Sequence, residues 1–286
     1  MLQDVSIIIP AKNEHAGLSV LLPALRKKYP TAEIIVVNDG SSDDTPNVCV
    51  THNVVLLSHP YSIGNGAAIK TGARAAKGKI LVFMDGDGQH NPDDIPKLME
   101  QIENGYDMVV GARGSQDQAT LGRWWANSAY NTLATWMVGQ PVADLTSGFR
   151  VVNSKKFREF LHLLPNGFSY PTSISMSFFR AGYSLCYVPI QTERRVGKSH
   201  IRPLRDGIRF LIIIFRIGTL YSPLKLFLPF SLMSFLLGVS YYAYTLHNYG
   251  RFTNMSALLF ITSILIFLIG LVSEQITMLI YKDSGK

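Results

Sequence analysis

The sequence has few cysteines, and their placement does not form a metal-binding or disulfide pattern. Cys49 and Cys186 are the two cysteines among 286 residues, and they stand in unrelated contexts. This excludes a small disulfide-rich domain and a zinc module, so we expect two free thiols facing a reducing cytosol. A secretory leader is also not expected, because residues 1–10 run directly into the strand-like "VSIIIP" without a basic start or a cleavage site.

Acidic residues are also in short supply. The chain has 20 Asp and Glu against 27 Lys and Arg, which gives a net charge of +7. Most of the excess lies between Glu193 and Lys225, a stretch with eight basic and two acidic residues. A basic block of this kind can bind nucleic acid. Because it directly precedes long apolar segments, we instead expect anionic lipid headgroups or an anionic lipid substrate, and no nucleic-acid partner.

Long apolar runs are abundant in the last quarter of the chain. Segments 224–246 and 255–281 are each long enough to cross a bilayer, the first as about 34 Å of helix. Their connector, "HNYGRFTN", carries one arginine, whereas the preceding segment is strongly basic. The positive-inside rule therefore predicts a cytoplasmic N-terminal domain and a cytoplasmic "KDSGK". Glu274 and Gln275 interrupt the second run near its inner end, and we expect them at headgroup level.

The basic block has helical periodicity. Arg202, Arg205, Arg209 and Arg216 fall on one helical face, and apolar residues fall mostly on the other. We therefore expect an amphipathic helix in the membrane surface. The predicted organisation is a catalytic domain over residues 1–200, this helix over 201–222, and a two-helix membrane anchor over 223–286.

The first 190 residues alternate short apolar runs with helical patterns. Strands are predicted at 5–10, 33–39, 54–58, 80–85 and 107–112, and helices near 15–28, 43–50, 64–76 and 93–104. Near-continuous β-branched runs indicate an α/β fold whose mainly parallel sheet is covered on both faces. Ligands of such sheets gather at the carboxyl ends of the strands, where Asp39, Asp85, Asp87 and Arg113 fall.

The fourth predicted strand ends in two carboxylates, in "ILVFMDGDGQH". Asp85 and Asp87 are close enough to need a counter-charge, and a hard divalent cation is the natural partner. Gly86 and Gly88 let the backbone bend and a bulky ligand approach, while Gln89 adds a neutral oxygen. An isolated pair of this kind is usually a solvated turn, so the surrounding motifs decide between the two interpretations.

Two neighbouring patterns have structural explanations. The "GNG" at 64–66 lacks the third glycine of a dinucleotide-binding fingerprint, because Ile69 stands there, and loop glycines before a helix are expected instead. Asp43 and Asp44 follow two serines at a predicted helix start, where acidic residues suit the helix dipole.

The N-terminal motifs together resemble the inverting family-two glycosyltransferases of the GT-A fold. They are "IIIPAKNE", "VVNDGSSDDT" and "GNGAAIKTGARAAKGKILVFMDGDGQHNPDDI". In that family the first two strand ends hold the nucleobase and ribose, and the Asp-x-Asp holds the ribose and a metal–diphosphate. The resemblance therefore implies a nucleoside site of Pro10, Lys12, Glu14, Val37 and Asp39, and a metal and diphosphate site of Asp85, Gly86, Asp87 and Gln89.

Later motifs look like those of the branch that transfers sugar to a polyprenyl phosphate, which includes the dolichyl-phosphate mannose synthases. They are "VVGARG", "ADLTSGFRVVN" and "ERRVGKSH", and the resemblance extends to the two C-terminal spans. One departure is His200, where the family has Lys. A titratable group then replaces a permanent charge near the donor diphosphate, unless Lys198 substitutes for it.

The expected chemistry needs cations on both substrates, since a diphosphate departs and a phosphate attacks. On the donor side these would be Mg²⁺ or Mn²⁺ at Asp85, Asp87 and Gln89, assisted by Arg113, Arg194, Lys198 and His200. On the acceptor side they would be Arg113 and Arg123, with Ser147 as a hydrogen-bond donor. Asp144 has three open roles: it positions the acceptor, acts as a base, or braces the "SGFR" turn.

The leading hypothesis is an inverting, metal-dependent transfer of mannose or glucose from a GDP- or UDP-linked donor to a polyprenyl phosphate at the cytoplasmic membrane face. A processive polysaccharide synthase is disfavoured, because the Q-x-x-R-W motif is missing and two spans are too few for a polymer channel. A non-catalytic sugar-nucleotide-binding membrane protein is disfavoured by the intact motifs. The sugar, the nucleotide, the lipid length and any homo-oligomer stay open.

Overall fold

The computed structural model describes residues 4–113, 121–167, 170–191, 215 and 218–282, without the side chains of 121–127, 129–130 and 282. The chain forms two compact units, Met1–Pro203 and Leu204–Lys286. The first unit contains a seven-stranded sheet, and the second contains two long helices. The amphipathic helix predicted over 201–222 falls almost entirely outside the described residues.

The sheet has the strand order β3-β2-β1-β4-β6-β5-β7. Strand β6 runs antiparallel to both of its neighbours, and the other neighbouring pairs are parallel. The strands are β1 (Val5–Ala11), β2 (Glu33–Asn38), β3 (Val55–Ser58), β4 (Ile80–Phe83), β5 (Met108–Arg113), β6 (Arg150–Asn153) and β7 (Leu185–Ile190).

Helices connect these strands, and a short 3₁₀ turn at Pro92–Asp94 precedes the fourth helix. In chain order they are α1 (His15–Lys28), α2 (Thr45–Thr51), α3 (Asn65–Ala75), α4 (Ile95–Glu103), α5 (Leu121–Val138), α6 (Ser154–Glu159), α7 (Tyr170–Arg180), α8 (Pro223–Tyr249) and α9 (Asn254–Lys282).

The central strand β1 is covered on both faces. Ile7 and Ile9 belong to the same buried cluster as Leu18 and Leu22 of α1. Ile8 points to the opposite face, where a Cβ atom on Gly72 of α3 would lie 2.4 Å from its Cγ2 atom. Successive residues of a strand alternate between faces, so β1 needs apolar residues throughout to fill both layers. The predicted α/β fold with a mainly parallel, doubly covered sheet is confirmed.

The strand order places a crevice beside β1. Strands β2 and β3 extend the sheet on one side of β1, whereas β4 pairs with its other side. The chain connections on the two sides of β1 therefore run in opposite directions. Such a position is a topological switch point, where open α/β sheets bind ligands. The loops after β2 and β4, which carry Asp39 and Asp85, flank this point.

The observed strands lie within two residues of the predicted ones, with two differences of substance. Strand β4 ends at Phe83, so Asp85 stands in the following loop and not in the strand. The sequence patterns predicted neither β6, which inserts antiparallel between β4 and β5, nor β7, which pairs parallel with β5. Strand β6 has the sequence RVVN, in which two apolar residues stand between an arginine and an asparagine, so it lacks the apolar run that marks β4.

The second unit is a hairpin of α8 and α9, both long and apolar enough to cross a membrane. Their seam contains small and hydroxyl-bearing residues: the Ser231 and Ser263 hydroxyls each donate to the other residue's carbonyl oxygen at 2.9 Å. Gly238 packs against Phe260, and Gly270 packs against Phe227. Small residues let apolar helices approach closely, which leaves the large aliphatic side chains on the outer surface.

Glu274 is bound at one end of this hairpin. Its carboxylate accepts a hydrogen bond of 3.3 Å from the backbone N–H of Leu224, in the first turn of α8. A negative charge is favourable at a helix N-terminus, because the first N–H groups have no partners within the helix. Glu274 therefore stands level with the beginning of α8.

Candidate active site

Loops from three strands meet at the carboxyl edge of the sheet. Pro10 and Val37 pair in register at the ends of β1 and β2, and the N–H of Asp39 donates to the carbonyl of Ala11 at 2.8 Å. On the other side of β1, Met84 donates to Ile8 at 3.1 Å, immediately before Asp85. The predicted donor residues of β1, β2 and β4 are therefore neighbours in space.

The Asp85–Gln89 loop is tightly packed and only partly exposed. Asp87 is 8% exposed, whereas the Asp85 side chain is 37% exposed. The Asp87 carboxylate accepts the N–H of Gln89 at 3.1 Å, and Gly88 turns the chain with φ of +76°. A Cβ atom on Gly17 of α1 would lie 2.2 Å from the carbonyl oxygen of Gly86, so this helix presses directly on the loop.

The donor atoms of this loop fit a hard divalent cation that is shared with a substrate. Among the residues that the structure describes, no group of three or more His, Cys, Asp or Glu side chains could hold a metal ion. Mg²⁺ is usually bound by one or two carboxylates together with substrate phosphates and water, so a complete protein cage is not required. Asp85 and Asp87 offer such a pair, one of them well exposed.

Asp39 has a dense hydrogen-bond network of its own. Its carboxylate accepts from His59 Nδ1 at 2.7 Å, from Ser62 Oγ at 2.8 Å, and from the N–H groups of Ile63 and Gly64 at 2.9 Å. Burial alone would raise the pKa of Asp39, but these hydrogen bonds outweigh it and hold the pKa below its ordinary value. Asp39 thereby fixes the loop after β3 beside the predicted nucleoside site.

Lys12 and Glu14 lie in the loop between β1 and α1. Lys12 Nζ donates to Ser62 Oγ at 2.9 Å, which links it to the Asp39 network. Glu14 precedes α1, and its Cβ atom lies 3.5 Å from the position of a Cβ on Gly86. Lys12 is thus linked to the Asp39 network and Glu14 lies beside Gly86, and their role at the nucleoside stays a prediction.

Asp43 has a structural function in the same loops. It accepts the N–H of His15 at the start of α1 and the N–H of Thr45 at the start of α2, both at 3.1 Å. Burial acts to raise the pKa of Asp43, and these bonds overcome that effect and lower it. The geometry supports the capping interpretation of Asp43.

On the acceptor side, Arg113 and Asp144 form a bidentate ion pair. Arg113 Nε lies 2.8 Å from Asp144 Oδ2, and Nη2 lies 3.0 Å from Oδ1. The same carboxylate accepts the N–H groups of Thr146 and Ser147 at 3.0 Å. Burial is the largest influence on the pKa of Asp144 and raises it, but the arginine and the N–H groups together lower it. The lone pairs of Asp144 are thus already occupied.

Arg150 donates to a carbonyl of the same turn whose N–H groups donate to Asp144. Its side chain is completely buried, and it donates from Nε to the carbonyl of Ser147 and from Nη1 to Ser175 Oγ, both at 2.8 Å. Burial without a carboxylate in hydrogen-bond contact lowers the pKa of Arg150. Asp144 and Arg150 therefore fix the 144–150 turn from both ends, one through N–H groups and one through carbonyls. Ser147 Oγ is buried in this turn with no hydrogen-bond partner in the structure.

This turn contacts the Asp85 loop directly. A Cβ atom on Gly148 would lie 2.8 Å from Oδ2 and 3.0 Å from Oδ1 of Asp85, so a side chain at this position would displace the Asp85 carboxylate. The next residue, Phe149, stacks on the ring of His90 with centroids 5.0 Å apart. The structure therefore brings the predicted metal carboxylate and the acceptor-side turn together. Sequence reasoning assigned no role to His90, the last residue of "ILVFMDGDGQH", or to Arg150, the last residue of "SGFR".

The first turn of α3 is occupied by protein. Gly66 and Ala67 donate their N–H groups to the carbonyls of Gly167 and Asn166, at 3.2 and 3.0 Å. Gly64, with φ of +124°, makes the turn into this helix. These N–H groups are unavailable to a pyrophosphate, which agrees with the interpretation of "GNG" as loop glycines.

Four predicted site residues lie beyond what the structure describes. The side chain of Arg123 falls in the undescribed part of α5. Arg194, Lys198 and His200 fall in the undescribed segment 192–214. Their roles stay predictions.

The mostly parallel sheet, with a carboxylate pair after its fourth strand, agrees with a GT-A-type glycosyltransferase. The model of Glycosyl transferase family 2 matches residues 6–161, and the chain belongs to that family. The model of the GtrB C-terminal hairpin matches residues 222–279. This match and the two apolar helices indicate membrane association.

Curated relatives transfer sugars to polyprenyl phosphates, according to their names. The undecaprenyl-phosphate mannosyltransferase of Micrococcus luteus is 29% identical over 214 residues, which cover 68% of this chain and 86% of the relative. The dolichyl-phosphate hexose transferase of Haloferax volcanii is 28% identical over 211 residues, which cover 71% and 89%.

Solved structures confirm the fold class. The glucosyl-3-phosphoglycerate synthase of Mycobacterium tuberculosis, in complex with Mn²⁺, UDP and glucosyl-3-phosphoglycerate, superimposes with a TM-score of 0.60. The two chains are 21% identical, and the match covers 74% of this chain and 77% of the synthase. The protein is therefore a glycosyltransferase with a GT-A-like, mostly parallel sheet.

Proposed function

We propose that this glycosyltransferase moves a hexose, mannose or glucose, from a GDP- or UDP-linked donor to a polyprenyl phosphate, with inversion at the anomeric carbon. The observation that carries the proposal is the contact between Asp85 and Gly148. It brings the Asp85 loop next to the turn that binds Arg113, which supports a donor site and an acceptor site beside each other. The names of the relatives support the polyprenyl phosphate acceptor.

On the donor side, Pro10, Lys12, Val37 and Asp39 would bind the nucleoside, with Glu14 and Gly86 beside it. Asp85, Asp87 and Gln89 would hold Mg²⁺ or Mn²⁺, which supplies positive charge to the departing diphosphate when bound. The mixed exposure of the two carboxylates supports this assignment, because the exposed Asp85 can meet a substrate-borne ion while Asp87 stays fixed.

The reaction forms one bond and breaks one. An acceptor phosphate oxygen attacks the anomeric carbon, and the bond to the diphosphate oxygen breaks with its electron pair leaving on the diphosphate. A phosphate monoester has a second pKa of about 6, so at neutral pH its oxygen needs no strong base. The occupied lone pairs of Asp144 support a positioning role, in which it orients Arg113 toward the acceptor phosphate.

The proposal also includes the side of the membrane on which the catalytic domain lies, which is inferred from the sequence. The basic segment before α8 and the short connector after it favour a cytoplasmic catalytic domain over residues 1–200 and an anchor over 223–286. Arg123 and Ser147 would assist Arg113 at the acceptor, and Arg194 with Lys198 or His200 would assist at the diphosphate.

The test is a transfer assay on membranes that contain the full chain. Membranes are incubated with GDP-mannose, UDP-glucose and related donors, and lipid products are identified by mass spectrometry. We expect a polyprenyl-phosphate hexose that disappears in EDTA and returns with Mg²⁺ or Mn²⁺. Asp87→Ala should abolish it, whereas Asp93→Ala, at an exposed carboxylate on the 3₁₀ turn, should not.

Three outcomes would each contradict a different part of the proposal. Full activity in EDTA refutes the metal-dependent mechanism. Polymer formed from donor without added lipid acceptor would indicate a processive synthase. Donor binding without transfer to any polyprenyl phosphate would indicate a binding protein.

A further inference from the structure

His90 is a buried titratable residue with no part in the reaction described above. Its side chain is 5% exposed, and it closes the loop that begins at Asp85. Histidine is often exposed or at intermediate depth in proteins, so a buried one next to a carboxylate pair needs an explanation.

The hydrogen bonds of His90 define its tautomer. The backbone N–H of Asp85 donates to Nδ1 at 3.1 Å, so Nδ1 carries a lone pair and the neutral ring has its proton on Nε2. Nε2 lies 3.8 Å from Oδ2 of Asp85. This exceeds hydrogen-bond distance, but it places the ring beside the carboxylate. One ring therefore acts on both the backbone and the side chain of Asp85.

The ring is itself held in place by the acceptor-side turn. His90 and Phe149 stack with an interplanar angle of 17°, and Gly148 lies against the Asp85 carboxylate. Arg150 binds the carbonyl of Ser147 in the same turn. Asp85 is thus enclosed between His90 and Gly148, two groups that belong to one packed unit.

We infer that His90 is a positioning residue that fixes Asp85 in the orientation required to bind a divalent cation with the donor diphosphate. The inference rests on the proposed function for the identity of the donor, but the geometry of Asp85 carries it. Groups that orient a metal ligand without touching the metal typically change affinity by roughly 10- to 100-fold when they are removed.

Three substitutions separate the actions of the ring. His90→Phe keeps an aromatic ring on Phe149 and removes both nitrogens. His90→Asn places an amide oxygen near the position of Nδ1 and can accept the N–H of Asp85. His90→Gln reaches instead toward the position of Nε2. His162→Phe, at an exposed histidine between α6 and α7, is the matched control.

The measurement is Mn²⁺ binding to the purified full chain by electron paramagnetic resonance, with UDP and with GDP in parallel. We expect H90F to weaken Mn²⁺ binding roughly 10- to 100-fold. H90N should recover most of that loss, H90Q should not, and H162F should match the wild type. At saturating Mn²⁺ the KM for polyprenyl phosphate should be unchanged in H90F, because Arg113 is untouched.

Two results would overturn the inference: wild-type Mn²⁺ affinity in folded H90F, or equal losses in H90F and H90N. The proposed function fails separately. If the wild type binds Mn²⁺ and nucleotide but transfers sugar to a different acceptor, the acceptor assignment is wrong while the role of His90 stands. If the wild type binds no Mn²⁺ with either nucleotide, both are wrong.

Discussion

The contact between Gly148 and Asp85 gives the sharpest single test of the site. Replacing Gly148 by Ala adds one methyl group, whose carbon would lie 2.8 Å from Oδ2 of Asp85. Contacts of a real Cβ atom rarely fall below 3.4 Å, so the carboxylate must move by about 0.6 Å. The turn itself is held by Asp144 and Arg150, which makes the Asp85 side chain the part that yields.

A displacement of this size should lower the rate of catalysis and should have a small effect on the stability of the fold. Misplacement by 1 Å can cost about 100-fold in rate, so we expect kcat/KM to fall about 10-fold. That corresponds to about 1.4 kcal/mol of transition-state stabilisation. The free energy of unfolding should change by less, since a partly exposed carboxylate can rotate into solvent.

The assay compares sugar transfer by the wild type, G148A and G167A across a Mn²⁺ titration. Gly167 is exposed and a Cβ there meets nothing within 4 Å, so G167A controls for the loss of glycine. The defect of G148A should be largest at low Mn²⁺. Wild-type kcat/KM and Mn²⁺ dependence in folded G148A would refute the reasoning, as would an equal loss in G167A.

Two further substitutions test the buried charges, each by urea titration of the detergent-solubilised protein. Asp144→Asn should lower the free energy of unfolding by about 3 kcal/mol at pH 7, because Arg113 loses its charged partner. Since folding depresses the pKa of Asp144, its stabilisation is complete above the unfolded pKa of about 3.9 and is lost as pH falls through the folded pKa. The two proteins should therefore converge at strongly acidic pH, and a constant difference would contradict this. Ser175→Ala should cost about 2 kcal/mol, because Arg150 Nη1 keeps only its weak contact with Met108 Sδ at 3.9 Å. This cost should exceed that of Ser177→Ala, which removes a buried hydroxyl bonded to a carbonyl on the same helix. Equal losses would count against the charged hydrogen bond.

Patterns of sequence were sufficient to predict most of the fold, because β1, β2 and β4 have apolar residues on both faces. The same patterns predicted that carboxylates stand at strand ends. Strand β6 was not predicted because it has only two apolar residues, Val151 and Val152, and its antiparallel direction depends on pairing with strands far away in the chain.

The site was predicted residue by residue, but the connections between the residues were not. Asp85 and the "SGFR" turn are recognisable separately, whereas their contact through Gly148 depends on the insertion of β6 beside β4. The role of His90 is equally hidden, because its partner is a backbone N–H group that every residue has. The sequence left three roles open for Asp144. The hydrogen bonds to its carboxylate occupy its lone pairs, and this favours a positioning role.

The bond between Glu274 and the first turn of α8 has a consequence for how the hairpin is seated. In a bilayer, sliding the hairpin inward past this end would carry a carboxylate and a helix terminus into hydrocarbon at the same time, each at a cost of several kcal/mol. Both costs arise at the same depth in the bilayer, so together they oppose this sliding. The contact between Glu274 and Leu224 would therefore oppose movement of this end of the hairpin into the bilayer core.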